Sequence, residues 1–285
     1  MIFPSVVWQG RVGRRPAVMF KFRCHISWVL CRISANNLNL FSCDVVKIVE
    51  HGSKESGTKG CRKMRKVLRE NGLSIVLFGL LVLCLLGQFL AGHREYNQDQ
   101  RDHGGSPASH SEYFLTPHFL EVTMENWESE FLQMFAFVSL TAFLFQKGSA
   151  ESKSLDGEDP VDRDPRKSRN KEKVPWPVRK GGLVLSVYEN SLSLVFLLLF
   201  GISFVLHAVG GAGEYNEHQR EHGASELVST FEYMTTSRFW FESLQNWQSE
   251  FLAIGAMVVL TIFLRQRGSP ESKPVDSPHS QTGGE

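Results

Sequence analysis

Two long uncharged apolar segments constrain the fold of this chain more than any other feature. Residues 73–92 and 192–211 each run for 20 positions without a formal charge. A helix rises about 1.5 Å per residue, so about 20 apolar residues cross the roughly 30 Å hydrocarbon core of a bilayer. We therefore predict two membrane spans, although the whole chain has a formal net charge of only +1 and 42% hydrophobic residues.

Two shorter apolar runs, at 131–145 and 251–264, follow these segments. Each comes shortly after a tryptophan, Trp127 or Trp247, of the kind that anchors helices at a membrane interface. Extended back to its tryptophan, each run is long enough to cross a bilayer. We predict further spans at about 127–146 and 247–265, and hence an all-α membrane protein with four transmembrane helices.

The sequence after residue 63 is internally duplicated, which predicts two copies of one structural unit. The matched motifs are EYNxxQRxHG at 95–104 and 214–223, NWxSEFL at 126–132 and 246–252, and GSxESK at 148–153 and 268–273. We expect two tandem helical hairpins, repeat 1 at 64–153 and repeat 2 at 183–273. The charged segment 154–182 reads as a solvated linker, and 274–285 as a disordered tail.

Residues 1–63 differ in character from everything that follows. They contain eleven Lys or Arg against three Asp or Glu, and no helical or strand period persists in them. Two interpretations stay open: a disordered arm, or residues upstream of a natural translation start at Met64. We favour the second, because a basic leader beginning at Met64 runs directly into the first span.

Lys and Arg concentrate on one side of the predicted spans. They flank the first span on its N-terminal side and fill the linker and the segment after the fourth span, whereas the hairpin loops 93–126 and 212–246 carry two arginines each. By the positive-inside rule, both termini and the linker are cytoplasmic and both hairpin loops face outside.

The duplicated decapeptide continues the first and third spans as polar helical extensions on the outer side. Glycine is a common residue just past a helix end, so we expect these helices to stop at Gly104 and Gly223. The shared side chains are Tyr96, Arg101 and His103, and Tyr215, Arg220 and His222. We expect them to pack against each other; the alternative is a site in which the histidines bind a metal or carry protons. No metal-binding spacing occurs, so no metal is assigned.

The NWxSEFL motif places two carboxylates about one turn beyond the tryptophans. Glu130 and Glu250 would lie inside the membrane boundary, where a carboxylate must reach the headgroups, pair with a cation or be protonated. Its partners would be Arg101 and Arg220 or His103 and His222. With Asn126 and Asn246, these residues form either an interhelix polar contact or a binding site.

Motifs of soluble enzymes are missing from the sequence, which shows no phosphate-binding loop, dinucleotide fingerprint or nucleophile elbow. No cofactor and no nucleic-acid partner is indicated. Gly79, Gly87, Gly201 and Gly255 are typical of close contacts between membrane helices.

Four motifs together resemble an uncharacterised family of bacterial integral membrane proteins, a domain-of-unknown-function family. They are MRKVLRENGLSIVLFG, the EYNxxQRxHG pair, NWESEFLQ and RQRGSPESKP, within about residues 64–275. The resemblance implies a bacterial plasma-membrane location and brings no known activity.

Two functions are compatible with these observations. The first, which we prefer from sequence, is a non-enzymatic membrane protein that acts through its outer face by associating with itself or with an envelope partner. The second is a small transporter, channel or proton- or metal-handling protein that uses the outer Glu and His residues.

Overall fold

The structure is a computed structural model that describes residues 56–283, apart from 156, 158 and 224–226; for 56–61 it describes the backbone alone. The described residues form helices and no strand, which confirms the all-α class. The α-helices are α1 Ser56–Asp102, α2 His110–Tyr113, α3 Pro117–Thr141, α4 Trp176–Lys180, α5 Gly182–Glu189, α6 Ser191–Glu221, α7 Thr230–Tyr233 and α8 Ser237–Phe263.

The described part of the chain divides between Val76 and Leu77 into two units. The arm or upstream segment predicted at 1–63 lies outside the described residues, except for the part that forms the beginning of α1. The linker holds α4 and two 3₁₀-helices, Pro160–Asp162 and Pro165–Ser168.

One asparagine interrupts the helix before each of the two long apolar segments. Asn71 has φ −129° and ψ 16° inside α1, and Asn190 has φ −110° and ψ 8° between α5 and α6. Each side-chain amide donates to the carbonyl oxygen four residues earlier, that of Val67 at 3.2 Å and that of Ser186 at 2.9 Å. The amide thus bonds a carbonyl at an interrupted helix turn, which gives a local reason for the repeated asparagine.

Three helices of the described chain are long and apolar enough to cross a membrane: Arg62–Asp102 within α1, α6 and α8. The prediction of four such helices is therefore wrong in its count. The exception is α3, which carries four glutamates and ends at Thr141 instead of near 146. These carboxylates make α3 too polar to be identified as a span by hydropathy alone.

The helices bury polar side chains and expose apolar ones. The buried residues of α3 are Glu121, Thr123, Glu128, Ser129 and Gln133. Large apolar side chains on the other long helices are exposed, such as Leu83 at 65%, Leu198 at 62% and Leu252 at 73%. A helix on the surface of a soluble protein has the opposite pattern. An apolar solvent such as the bilayer interior favours this one.

Glycines on α6 allow α3 to approach it closely. A Cβ at Gly210 would lie 2.5 Å from the backbone nitrogen of Glu121, and a Cβ at Gly213 would lie 2.6 Å from the Cβ of Pro117. The glycines that the sequence predicted for this role behave differently. Gly79, Gly87, Gly201 and Gly255 have no atom within 4 Å of such a Cβ in the described chain.

The two hairpin loops close with the same hydrogen bonds. The side chain of Asn97 accepts from the Ala108 N–H at 2.6 Å and donates to its carbonyl oxygen at 2.9 Å. Asn216 bonds both backbone groups of Val228 in the same way, at 2.9 Å each. In each half, the asparagine that the two decapeptides share therefore holds the loop against its helix.

The short helices α2 and α7 each begin with a capping box, formed by Ser109 with Glu112 and by Ser229 with Glu232. In each box the serine N–H donates to the glutamate carboxylate, and this bond lowers the pKa of the glutamate. The extensions of α1 and α6 end just before Gly104 and Gly223, whose φ values are 79° and 77°. This confirms the predicted stops, because such positive φ values favour glycine.

Replacing Gly210 with alanine should destabilise the packing of α3 on α6, because the added methyl group meets the Glu121 backbone and not a side chain that could rotate away. We expect the free energy of unfolding to fall by about 1–3 kcal/mol, as is typical of overpacked sites. Gly201→Ala in the same helix is the matched control, since its Cβ would enter open space. Thermal unfolding in detergent checks this; equal melting temperatures for Gly210→Ala and the unchanged protein would contradict it.

Candidate functional site

A cluster of ionisable side chains lies where α3 packs against α6 and α8. α3 contributes three glutamates at i, i+4 and i+7, a spacing that places them on one helix face. α6 contributes His207, and α7 and α8 supply the rest. We call this the acid–histidine cluster; it consists of Glu121, Glu125, Glu128, His207, Tyr233, Arg238 and Glu242.

At its centre, a hydrogen bond joins His207 and Glu128, whose side chains are both fully buried. The distance from His207 Nδ1 to Glu128 Oε2 is 2.7 Å, and the ring nitrogen must be the donor because a carboxylate only accepts. The other oxygen, Glu128 Oε1, accepts from Trp247 Nε1 at 2.9 Å. Trp247, which the sequence indicated as an interfacial anchor, therefore fixes the carboxylate that orients His207.

Glu242 is held by two donors on the loop side of the cluster. The hydroxyl of Tyr233 donates to Oε2 at 2.8 Å, and Arg238 Nε donates to Oε1 at 2.8 Å. The same two side chains approach Glu121 Oε1, at 3.4 Å from the Tyr233 hydroxyl and 3.9 Å from Arg238 Nη2. Burial raises the pKa of Tyr233, so its hydroxyl keeps the proton that it donates.

The second ring nitrogen of His207 has no hydrogen-bond partner among the described residues, although it is buried. It lies 3.7 Å from Glu242 Oε2. A carboxylate oxygen of Glu121, one of Glu242 and a nitrogen of His207 all lie within 4.8 Å of one another. The cluster thus contains a ring nitrogen of His207 that has no hydrogen-bond partner among the described residues and lies near the carboxylates of Glu121 and Glu242.

Carboxyl groups outnumber cationic groups in this region. Glu125, Glu128 and Glu242 act electrostatically on His207, and Glu242 and Glu214 act on Glu121. Glu214 lies about two turns beyond His207 on α6. The opposing groups are Arg238 and, when protonated, His207. Bound protons or a bound cation must offset the difference, because uncompensated buried charge is unfavourable.

Polar contacts continue from the cluster along the inner face of α3. The side chain of Asn246 donates to Glu125, and Gln133 Nε2 donates to the carbonyl oxygen of Glu250 at 3.1 Å. Glu121 and Gln133 are about 18 Å apart along the helix axis. Beyond the end of α3, the hydroxyl of Ser149 lies 3.1 Å from that of Thr261 on α8. The bundle therefore has a polar interior over much of its length.

Glu130 and Glu250, the carboxylates that the sequence singled out, lie away from this cluster. Glu130 is exposed and Glu250 is half-buried. Among the residues that the structure describes, neither forms an ion pair with the arginines or histidines predicted as partners, Arg101, Arg220, His103 and His222. The acids of α3 that do have partners, Glu121, Glu125 and Glu128, lie on the side of the helix that faces α6 and α8.

The histidines of the two decapeptides do come together, at the C-terminal ends of α1 and α6. The ring centroids of His103 and His222 are 5.9 Å apart, and Gln100 Nε2 donates to Glu221 Oε1 at 3.2 Å. The backbone carbonyl and the carboxylate of Asp99 raise the pKa of His103. Asp99, His103 and Glu221 could also hold a metal ion, but all three are exposed.

The remaining predicted residues have structural contacts. The ring of Tyr96 lies 5.5 Å from that of Tyr113, and the ring of Tyr215 lies 6.0 Å from that of Tyr233. Asn126 bonds the Val122 carbonyl of its own helix at 2.7 Å. The indole of Trp127 packs edge-on against Phe131 at 6.4 Å. Arg101 and Arg220 are exposed.

The search for duplicated residues missed the acid–histidine cluster, because most of the cluster differs between the two halves. Phe241, Gln245 and Gln248 stand where the first half has Glu121, Glu125 and Glu128, and Gln88 stands where the second half has His207. A usable signal existed in the i, i+4, i+7 spacing of glutamates ahead of an apolar run.

The family model of a domain of unknown function, DUF6766, matches residues 64–284. The chain belongs to this family. The matched region includes the whole acid–histidine cluster and confirms the resemblance to a domain-of-unknown-function family seen in the motifs. No curated protein and no solved structure matches the chain.

Replacing Glu128 with glutamine should destabilise the protein, because the charge-assisted bond from His207 and the bond from Trp247 then share one neutral amide. We expect a loss of about 2 kcal/mol, in the range for buried hydrogen bonds to charged groups. Glu130→Gln, two residues away and exposed, is the matched control and should have little effect. Chemical or thermal unfolding in detergent measures both, and equal losses would contradict the central role of Glu128.

Proposed function

We propose that this protein is a multi-pass membrane protein that binds, and carries across the membrane, a cation at the acid–histidine cluster. The observation that supports this most strongly is the buried group of carboxylates around His207, in which acids outnumber cationic side chains. Ionisable groups buried among transmembrane helices commonly mark ion pathways, because their burial is otherwise unfavourable.

The proposal includes α3 as a fourth crossing beside α1, α6 and α8. Pro117 at its beginning lies against Gly213, Gln133 reaches the backbone of Glu250, and Ser149 beyond its end meets Thr261. α3 thus runs beside α6 and α8 from one end of the bundle to the other. Three of its four carboxylates, those of Glu121, Glu125 and Glu128, face neighbouring helices instead of lipid, which makes the polar composition tolerable in a membrane.

We further propose that the four crossings are two tandem hairpins, residues 64–153 and 183–273. The paired asparagine clamps, capping boxes and helix-stopping glycines support this, because each occurs at corresponding positions of the two halves. Both termini and the linker would be cytoplasmic, on the side rich in Lys and Arg. The location would be the bacterial plasma membrane.

The polar interior supports transport over binding alone. Glu121 and Arg238 lie near the hairpin loops, and Arg238 has 42% of its side chain exposed, so the cluster is within reach of that side. Towards the other end, Asn246, Gln133, Thr261 and Ser149 provide further polar groups. A cation leaving the cluster would meet hydrogen-bonding groups in place of hydrocarbon.

A second candidate function is association through the outer face, with another copy or with an envelope protein. It is supported by two apolar side chains on the hairpin loops, Leu115 and Phe231, which are 81% and 82% exposed. Neither function requires an enzyme activity, and we propose none. The cluster favours cation handling, because association would not need carboxylates buried in the bundle.

Substituting Glu121 and Glu242 together with glutamine should abolish cation transport, because it removes two of the charges that attract the ion. We expect proteoliposomes of the unchanged protein to give transient currents on a rapid change of external cation, measured on a solid-supported membrane. The tested cations are H⁺, Na⁺, K⁺ and a divalent metal. The current of the double variant should be at least about tenfold smaller than that of the unchanged protein, a factor equivalent to about 1.4 kcal/mol.

The matched control for that experiment is Glu130→Gln with Glu250→Gln, which removes the same number of charges outside the cluster. It should keep the current. Currents no larger than those of empty liposomes for every cation would overturn the proposed transport function and leave association as the better candidate. Equal losses in both double variants would also count against the cluster.

The proposed topology predicts the labelling of single cysteines. In a variant whose native cysteines are replaced, a cysteine at Ser106 in the first hairpin loop should react with a membrane-impermeant maleimide in intact cells. A cysteine at Lys167 in the linker should react only after the membrane is opened. Labelling of both in intact cells, or of Lys167 alone, would contradict four crossings with cytoplasmic termini.

A further inference from the structure

We propose that Glu121, His207 and Glu242 form a binding site for a divalent transition-metal ion, in which His207 Nε2 is the nitrogen ligand. The inference rests on the proposed function, since it names the class of cation that the acid–histidine cluster takes. Its basis is the conjunction of a buried, unpartnered imidazole nitrogen, 3.7 Å from Glu242 Oε2, with carboxylate oxygens of Glu121 and Glu242 that lie within 4.8 Å of each other and of a ring nitrogen of His207.

Glu128 determines which nitrogen is available. Because its carboxylate accepts a hydrogen bond from His207 Nδ1 at 2.7 Å, the neutral ring carries its proton on Nδ1 and leaves a lone pair on Nε2. Metal-binding histidines commonly have this arrangement, in which a carboxylate accepts from the nitrogen that does not bind the metal. Trp247 Nε1 donates a hydrogen bond to Glu128 at 2.9 Å. By fixing this carboxylate, Trp247 supports the orientation of the His207 ring indirectly.

The distances are close to those of a metal site. Zn–N and Zn–O bonds of about 2.0–2.2 Å place neighbouring ligand atoms roughly 3–3.5 Å apart. His207 Nε2 and Glu242 Oε2 are already 3.7 Å apart. Side-chain shifts of about 1 Å would bring the third ligand, Glu121, into the same shell.

The donor set selects the class of ion. An imidazole nitrogen with two carboxylates suits Zn²⁺, Mn²⁺ or Fe²⁺, whereas Mg²⁺ and Ca²⁺ prefer oxygen ligands alone. A divalent ion would also offset two of the negative charges that the ionised carboxylates of Glu121, Glu128 and Glu242 and of the nearby Glu125 and Glu214 bring to this region. Arg238 is the cation that competes for the same two carboxylates, at 2.8 Å from Glu242 and 3.9 Å from Glu121.

Arg238 also indicates how the ion would enter. It lies in the first turn of α8, beside the hairpin loop, and its side chain is 42% exposed while Glu121 is buried. Its guanidinium can therefore leave the carboxylates for water without unfolding the bundle. A metal that arrives from the loop side would displace it.

The test uses Zn²⁺ as the probe on the purified full chain in detergent, treated with a chelator and then dialysed against Zn²⁺ with Mg²⁺ in excess. We expect one zinc ion per chain. His207→Gln, which introduces the residue found at the corresponding position of the first half, should weaken binding by at least about tenfold, and Glu128→Gln by about tenfold through loss of ring orientation. His103→Ala with His222→Ala removes the exposed alternative at the helix tips and should leave binding unchanged.

Arg238→Gln provides a test in the opposite direction. Removing the competing guanidinium should tighten zinc binding by about threefold or more, which a misfolded protein would not show. No zinc bound to the unchanged protein, or zinc bound by His207→Gln but lost from the His103/His222 variant, would overturn the inference. Currents with H⁺ or Na⁺ alongside absent zinc binding would overturn the metal site alone, whereas zinc binding without any current would overturn transport alone.

Discussion

The hydrogen bond between His207 and Glu128 is the interaction on which the rest of this bundle depends. Both side chains are fully buried, and they join α6 to α3 at 2.7 Å. In a low-dielectric interior such a bond is strong, and each partner would be costly to leave unpaired. α3 therefore has to present its polar face to α6 and α8, and this requirement fixes the rotation of a helix whose apolar residues alone would not specify it.

Close helix approach is the second requirement, and small residues on α6 provide it. Gly210 and Gly213 remove the side chains that would hold α3 away, so the backbone at Glu121 meets α6 directly. Apolar contact gains little inside a membrane because lipid is equally apolar, and association there depends on packing and polar bonds. The glycines and the acid–histidine cluster thus act together. The glycines allow α3 to come close to α6, and the hydrogen bonds of the cluster need this close approach.

Much of the fold could be predicted from periodicity and length. The apolar segments 73–92 and 192–211 lie in long helices, and the polar extensions stop at Gly104 and Gly223 as expected. The count of apolar spans was wrong at α3, because the span was predicted from the apolar run 131–145, whereas the helix that contains much of this run begins at Pro117, ends at Thr141 and carries four glutamates. The contacts of Gly210 were equally out of reach, since the sequence marks small residues but not their partners.

The site was missed for a related physical reason. Residues shared by both halves, such as Asn97 and Asn216, make the same local hydrogen bonds in each, so their repetition reflects the closing of the loop. A single central cluster cannot be built that way, because one histidine facing one orienting carboxylate is an asymmetric arrangement. Each half must then supply different residues at corresponding positions, as His207 and Gln88 do, or Glu128 and Gln248. In this chain, the polar residues that differ between corresponding positions of the two halves are therefore better indicators of the buried cluster than those that are shared.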